Sequence, residues 1–203
     1  MTSKILTGLG QSLRVYVKPP LQRISIGLGL LAAKNTGSTI YAASPIRQIV
    51  SLAIDSLGLE IDVRSCDKAE TEGVFLWCTP SSRPLFVAGT EIRYPLKYGL
   101  ERMTVKRIHN EVYMLVIPRI GLREYVTLNN YLPVPAEPPC RKDIMEAISV
   151  VAEEGPINLR DVVDVVASTL GVKRGEARRL VLELVDRGCL EVNADGMVKI
   201  AEY

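Results

Sequence analysis

Histidine is almost absent from this chain, and the one present, His109, has no nucleophile beside it in sequence. That removes the usual histidine-based triads and most zinc sites, and a histidine in a turn is more often solvated than catalytic. The four cysteines, Cys66, Cys78, Cys140 and Cys189, form no Cys-x-x-Cys pair, so a metal centre is not expected. Aromatic residues are few, at 5%, although 47% of the chain is hydrophobic, so any core must be built from Val, Ile, Leu and Ala. Long apolar runs are missing too. The longest, Ile24 to Ala33, carries Gly27 and Gly29 and falls well short of the roughly 18 residues a membrane helix needs. Gly8, Gly10, Gln11 and Arg14 break up any apolar core of a signal peptide, so a cytoplasmic protein with no membrane partner is expected. The carboxylate pairs Asp62/Asp67 and Glu70/Glu72 lack metal-ligand spacing, and no Gly-Lys-Ser or Gly-Lys-Thr marks a P-loop. The expectation is a protein that is no enzyme and holds no cofactor or metal.

What is present is most informative at the C-terminal end. Asp143 and Glu146 form an acidic variant of a capping box ahead of Ile144, Ile148 and Val151, which predicts a helix from about Asp143 to Glu154, stopped by Gly155-Pro156. Asn158 can cap a second helix with the stripe Leu159, Val162, Val163, Val166 and Leu170, closed by Gly171. A third, from about Arg174 to Arg187, repeats Ala177, Leu180, Val181, Leu184 and Val185, with Gly188 as its stop. Leu190 and Val192, a turn at Asn193 to Gly196, and Val198 and Ile200 then predict a hairpin.

This order resembles the winged helix-turn-helix superfamily. The span Leu159 to Val192 matches its helix-turn-helix and first wing strand, with Ala177 and the Arg-Arg-Leu of 178–180 in the third helix. The resemblance is confined to the C-terminal third of the chain. It implies that the third helix enters the DNA major groove, with Lys173, Arg174, Arg178 and Arg179 facing groove or phosphates. It also admits a protein-docking role, which winged helices serve as well.

Charge divides the chain unevenly. Residues 141–203 hold nine basic and twelve acidic residues, whereas residues 1–140 hold sixteen and eleven. A duplex binder relies on neutralised phosphates, so the acidic tail counts against DNA contact, as does a wing tip that carries Asp195 and no Lys or Arg. Locally the sign reverses. Lys173 to Arg187 has five basic residues against Glu176, Glu183 and Asp186. The alternative for these arginines is a solvated helix face with pairs such as Arg179 with Glu183.

Four prolines in seven residues, Pro133 to Pro139, predict a stiff extended spacer. The expected organisation is α+β: a strand-rich domain over residues 1–132, a linker over 133–140 and the winged helix over 141–203. In the first domain, Ser12–Val17, Arg23–Leu30 and Thr39–Ala42 read as strands, and Ser44 with Pro45 opens a helix carrying Ile46, Ile49, Val50, Ala53, Ile54 and Leu57. Leu59–Val63, Val74–Cys78 (with Trp77 as core), Leu85–Ala88, Met103–Ile108, Glu111–Ile117 and Tyr125–Leu128 read as further strands, with His109-Asn110 a tight turn. The loop Lys34 to Thr39 precedes a helix N-terminus, where a phosphate could rest, although an ordinary surface turn is the simpler reading.

A second basic segment lies at Arg93 to Tyr125. Arg93, Lys97, Arg102, Lys106, Arg107, Arg119 and Arg123 are interleaved there with Tyr94, Tyr98, Tyr113 and Tyr125. Cations flanking exposed tyrosines grip a backbone while bases stack, which makes Arg102, Lys106 and Arg107 further nucleic-acid candidates. The alternative is charge on a wet sheet face with tyrosine at the core edge.

Few Gln and more Arg than Lys suggest a thermophilic archaeon or other prokaryote. There a Cys66–Cys78 disulfide is admissible even in cytosol, but four buried or idle thiols is the expectation. The functional expectation is a DNA-associated transcription regulator whose N-terminal domain senses a ligand or dimerises, since symmetric operators need dimeric readers. The alternative is an assembly adaptor whose acidic winged helix binds another protein while the basic domain contacts nucleic acid or a partner subunit.

Overall fold

The computed structural model describes residues 3–18, 21–68, 72–80, 83–109, 111–137, 140–152, 155 and 157–200. The chain is α+β and divides into two compact units, Met1–Glu137 and Pro138–Tyr203.

The N-terminal unit contains α1 (Lys4–Gly8), β1 (Val15–Val17), α2 (Gln22–Thr36), β2 (Ile40–Ala42), α3 (Ser44–Leu57), β3 (Val63–Ser65), β4 (Val74–Leu76), β5 (Phe86–Ala88), β6 (Glu101–His109), β7 (Val112–Ile117), β8 (Leu122–Asn129) and β9 (Leu132–Pro135). Its sheet has the order β3-β2-β4-β5-β1-β6-β7-β8-β9. Pairing is parallel from β3 to β6 and antiparallel from β6 to β9. The strand-helix-strand unit around α3 is thus a parallel crossover. Strands β1, β2, β4 and β5 are buried on both faces, which is why they read as continuous apolar triplets rather than alternating ones. One face, with Ile40, Ala42, Val74 and Leu76, shares its core with helical Ile24, Leu28, Ile46 and Val50. The other, with Tyr16, Tyr41, Phe75 and Val87, shares a smaller core with Ile92 and Leu100.

The largest departure from expectation is Arg23–Leu30, which is helical and forms most of α2. Ile24 to Leu30 is buried without a break, so no amphipathic stripe betrays the helix; a helix hydrophobic all round belongs inside a core. Its glycines permit that burial. A Cβ on Gly27 would lie 2.1 Å from the Tyr131 carbonyl oxygen, and one on Gly29 would meet Leu76 Cδ2 at 2.9 Å. The Lys34–Thr39 segment is corrected with it. Lys34, Asn35 and Thr36 form the last turn of α2, where exposed carbonyls disfavour an anion. Asn35 Nδ2 donates to the Leu6 and Leu9 carbonyls, and Thr36 Oγ1 donates to that of Ala32.

Other differences are smaller. The strand placed at Ser12–Val17 shortens to Val15–Val17 and that at Leu59–Val63 shifts to Val63–Ser65, while Ser44 is the first helical residue rather than the cap, which is Ala43. Trp77 follows β4 with φ 56° and is half-buried rather than inside the strand. His109 ends β6 opposite Val112; the turn expected at His109-Asn110 falls partly outside the described residues, which exclude Asn110. Pro133 and Pro135 belong to β9 rather than to a spacer, and β9 is the sheet's last strand, where missing amide donors are tolerated. Asn130 and Tyr131, both at positive φ, turn the chain from β8 into β9.

The C-terminal unit contains α4 (Lys142–Ala152), β10 (Ile157–Asn158), α5 (Leu159–Leu170), α6 (Arg174–Asp186), β11 (Leu190–Val192) and β12 (Met197–Ile200). Asn158 Oδ1 accepts from the Arg160 and Asp161 amides, and Gly171 closes α5 in the left-handed conformation. Asp143 lies within α4 and pairs with Arg141 instead of capping. Ile144, Ile148, Val162, Val166, Ala177, Val181, Leu184 and Leu190 form one core. The hairpin β11–β12 gains a third strand, β10, which was not anticipated from two residues.

The cysteines are not idle thiols. Cys66 pairs with Cys78 and Cys140 with Cys189, each with Cα atoms 5.8 Å apart. The second bridge spans 49 residues and ties the entry of α4 to the start of β11.

Candidate nucleic-acid interface

Two groups of cations stand out, one in each unit. In the C-terminal unit, α6 turns Ala177, Val181 and Leu184 inward, which forces Arg178, Arg179 and Leu182 outward. Arg178, Arg179 and Lys173 are exposed and form no ion pair among the described residues. Arg174 differs. Its guanidinium engages Asp164 of α5 through two contacts, Nε to Oδ1 at 3.0 Å and Nη2 to Oδ2 at 3.1 Å, so it is less available to a phosphate than its neighbours. Glu183 pairs with Arg187 at 3.6 Å, four residues on, rather than with Arg179. Arg160, in the first turn of α5, is a further exposed cation without an ion pair among the described residues, and reasoning from the third helix alone passes over it. The turn between β11 and β12 is shaped by Asn193, whose Oδ1 accepts from the Asp195 and Met197 amides. Lys199 stands opposite Glu191 across the hairpin, and with Asp195 in its turn the hairpin carries no net positive charge.

In the N-terminal unit the Arg93–Tyr125 segment separates into parts with different surroundings. Along β6, Met103 and Val105 turn to the core, while Arg102 and Lys106 alternate with them and are exposed; Arg107 is exposed opposite Tyr113, beside a bulge. The tyrosines divide evenly. Tyr113 and Tyr125 are 7% and 5% exposed and belong to the packed sheet, where burial pushes the Tyr125 phenol above its ordinary pKa. Tyr94 and Tyr98, at 54% and 37%, are accessible.

Both exposed tyrosines lie on one tight turn, Pro95–Tyr98 with Tyr94 ahead of it, closed by Gly99 at φ 70°. Pro95 favours that turn by fixing φ at its first position. A second turn, Pro118–Ile120, follows β7, and between the two lies a groove of about 470 Å³ lined by Arg93, Tyr94, Leu96, Lys97, Arg102 and Arg119, among others. The turns are tied by Arg119 and Glu101. Arg119 Nε donates to Oε1 and Oε2 at 2.9 and 2.7 Å, and Nη2 donates to Oε1 as well. These hydrogen bonds hold the Glu101 carboxyl below its ordinary range, outweighing the opposite effect of its burial. Arg93 and Lys97 sit 5.4 and 5.1 Å from the centre of the Tyr94 ring, within cation–π range.

Among the described residues no group of three His, Cys, Asp or Glu side chains is placed to hold a metal ion, and no helix is long and apolar enough to cross a membrane. No family model, curated protein or solved structure matches the chain.

Proposed function

We propose that this is a DNA-associated, non-catalytic protein of the winged-helix type, a cytoplasmic transcription regulator of a thermophilic archaeon or other prokaryote. In this reading Lys173, Arg178 and Arg179 at the start of α6 approach the duplex, and the N-terminal unit senses a ligand or forms the dimer. The observation that carries it is the outward placement of Arg178 and Arg179, without a carboxylate partner among the described residues, on a helix whose opposite side is packed into the core. Arg174 is a weaker candidate, since Asp164 already neutralises it. Two disulfides are rare in a mesophile's cytoplasm and common in that of a hyperthermophile, which joins the location and the source in one proposal.

The test uses the full-length chain and a labelled mixed-sequence duplex of about 20 base pairs at low salt, long enough to offer the helix a complete major groove. Arg178→Ala with Arg179→Ala is expected to weaken binding at least tenfold with the thermal unfolding midpoint unchanged. Unaltered duplex affinity in that variant would remove the proposal.

One observation favours a second reading. Leu182 is 47% exposed directly beside Arg178 and Arg179 on α6, and an apolar side chain there suits a protein surface better than a phosphate backbone. In that case the unit is an assembly adaptor. Leu182→Glu would then abolish binding of a partner protein while the arginine pair proves dispensable.

A further inference from the structure

We infer that the groove between the Pro95–Tyr98 and Pro118–Ile120 turns binds single-stranded nucleic acid, with Tyr94 as a stacking platform and Arg93, Lys97 and Arg102 as phosphate contacts. The site is separate from α6 and does not depend on the reading of the C-terminal unit.

Exposure is the first ground. Among the described residues of the N-terminal unit, the large apolar side chains left exposed are Leu52, Tyr94, Leu96, Tyr98 and Ile120, and all but Leu52 sit on these two turns. Elsewhere the same unit buries its aromatic rings well, as Tyr16, Tyr41, Phe75 and Phe86 show, so the exposure at the groove is local. Of the exposed side chains, Tyr94 and Leu96 line the groove itself, and exposed apolar side chains gathered at a groove mark a binding surface.

Charge is the second. Arg93, Lys97 and Arg102 line the groove without a carboxylate partner among the described residues, and the groove's own Glu101 is already neutralised by Arg119. The groove therefore carries a surplus of positive charge around rings and aliphatic side chains, which complements a phosphate chain bearing unpaired bases. Duplex DNA hides its base faces inside the stack and gives Tyr94 and Leu96 nothing to cover. A free nucleotide is a poor fit for a different reason. Small-ligand pockets bury most of their ligand, whereas Tyr94 and Leu96 here are themselves more than half exposed. An extended strand, which needs only one side of each nucleotide covered, fits an open groove. Arg93 and Lys97 each sit over the Tyr94 ring, so a base that stacks there displaces a cation, which is then free to meet the adjoining phosphate.

Fluorescence anisotropy on the full-length protein tests this, with a labelled mixed-sequence 15-nucleotide DNA strand, the RNA of the same sequence and the corresponding duplex. The single strand of at least one sugar type is expected to bind at low salt. Tyr94→Ala should weaken it about tenfold, the loss of one stacked base, whereas Tyr94→Phe should retain affinity. Lys97→Ala and Arg102→Ala should each flatten the logarithmic salt dependence by about 0.7. Unfolding midpoints identify any variant that fails to fold, and Leu96→Glu supplies a second disruption of the groove. The proposal is overturned if neither strand binds, if Tyr94→Ala and Leu96→Glu leave single-strand affinity intact, if Tyr94→Ala weakens the duplex equally, or if adenosine monophosphate competes with the strand at equal concentration.

Discussion

The two units display cations on unlike supports. On α6 the arginines form a ridge on a convex helix, surrounded by an acidic unit that has already claimed Arg174 through Asp164. In the N-terminal unit the cations flank exposed rings on one tight turn, and the one carboxylate lining the groove is spent on Arg119. A ridge fits a groove whose walls are phosphate; rings among cations fit bases that are free to stack. The same residue type thus serves different partners according to what lies between the charges.

The units also differ in how they are held together, and this gives the largest expected effects. The C-terminal unit is small, and small domains bury a lower share of their surface, so its 49-residue bridge matters more. Replacing Cys140 and Cys189 by Ser should cost about 4 kcal/mol on a loop-closure argument, against about 3 kcal/mol for Cys66 and Cys78, whose separation is 12 residues. Urea unfolding followed by far-ultraviolet circular dichroism would measure both; an equal or reversed order breaks the comparison. Next comes Gly27→Ala, which drives a methyl group into the Tyr131 carbonyl and should destabilise the N-terminal unit by about 1–3 kcal/mol. Trp77, the only tryptophan in the sequence, reports that transition by fluorescence. No loss there would mean that α2 can move off β9 without penalty.

The smallest effect concerns the tie between the turns. Glu101 has a folded pKa below its ordinary 4.5, so the folded state holds its proton less tightly than the unfolded chain. Its contribution is complete above that ordinary value and is lost as pH falls through the lower folded value. Glu101→Gln should therefore lower stability slightly at neutral pH and flatten the acid limb below about pH 4.5, the two proteins converging as pH falls through the lower folded value. Titrated urea midpoints would show it; an unchanged acid limb would mean the pair contributes nothing.

How much of this could be read from the chain depended on whether the decisive interaction was local. Asn158 caps α5 and Gly171 closes it because both act within a few residues, and the stripe Val162, Val163 and Val166 repeats at the helical period. Helix α2 was misread because its signal is long-range. What Gly27 allows is the close approach of Tyr131, about a hundred positions on, and nothing in the local pattern records it. Strand β9 was hidden similarly, since Pro133 and Pro135 spoil a central strand yet suit an edge. For the candidate site, the sequence grouped four tyrosines that the fold then separated. Tyr113 and Tyr125 alternate into the packed sheet, whereas Tyr94 and Tyr98 stand on a turn beginning with Pro95. Proline beside tyrosine was the available clue. The pairing of Arg174 with Asp164 had no such clue, because it joins two helices across a turn.

The most direct measurement is the salt dependence of duplex binding by the full-length protein and by the Arg178→Ala, Arg179→Ala variant. If α6 meets phosphates through both side chains, the logarithmic slope should fall by about 1.8, close to 0.9 for each phosphate no longer neutralised. A slope that stays the same would contradict the account, because duplex binding would then owe nothing to the ridge on α6.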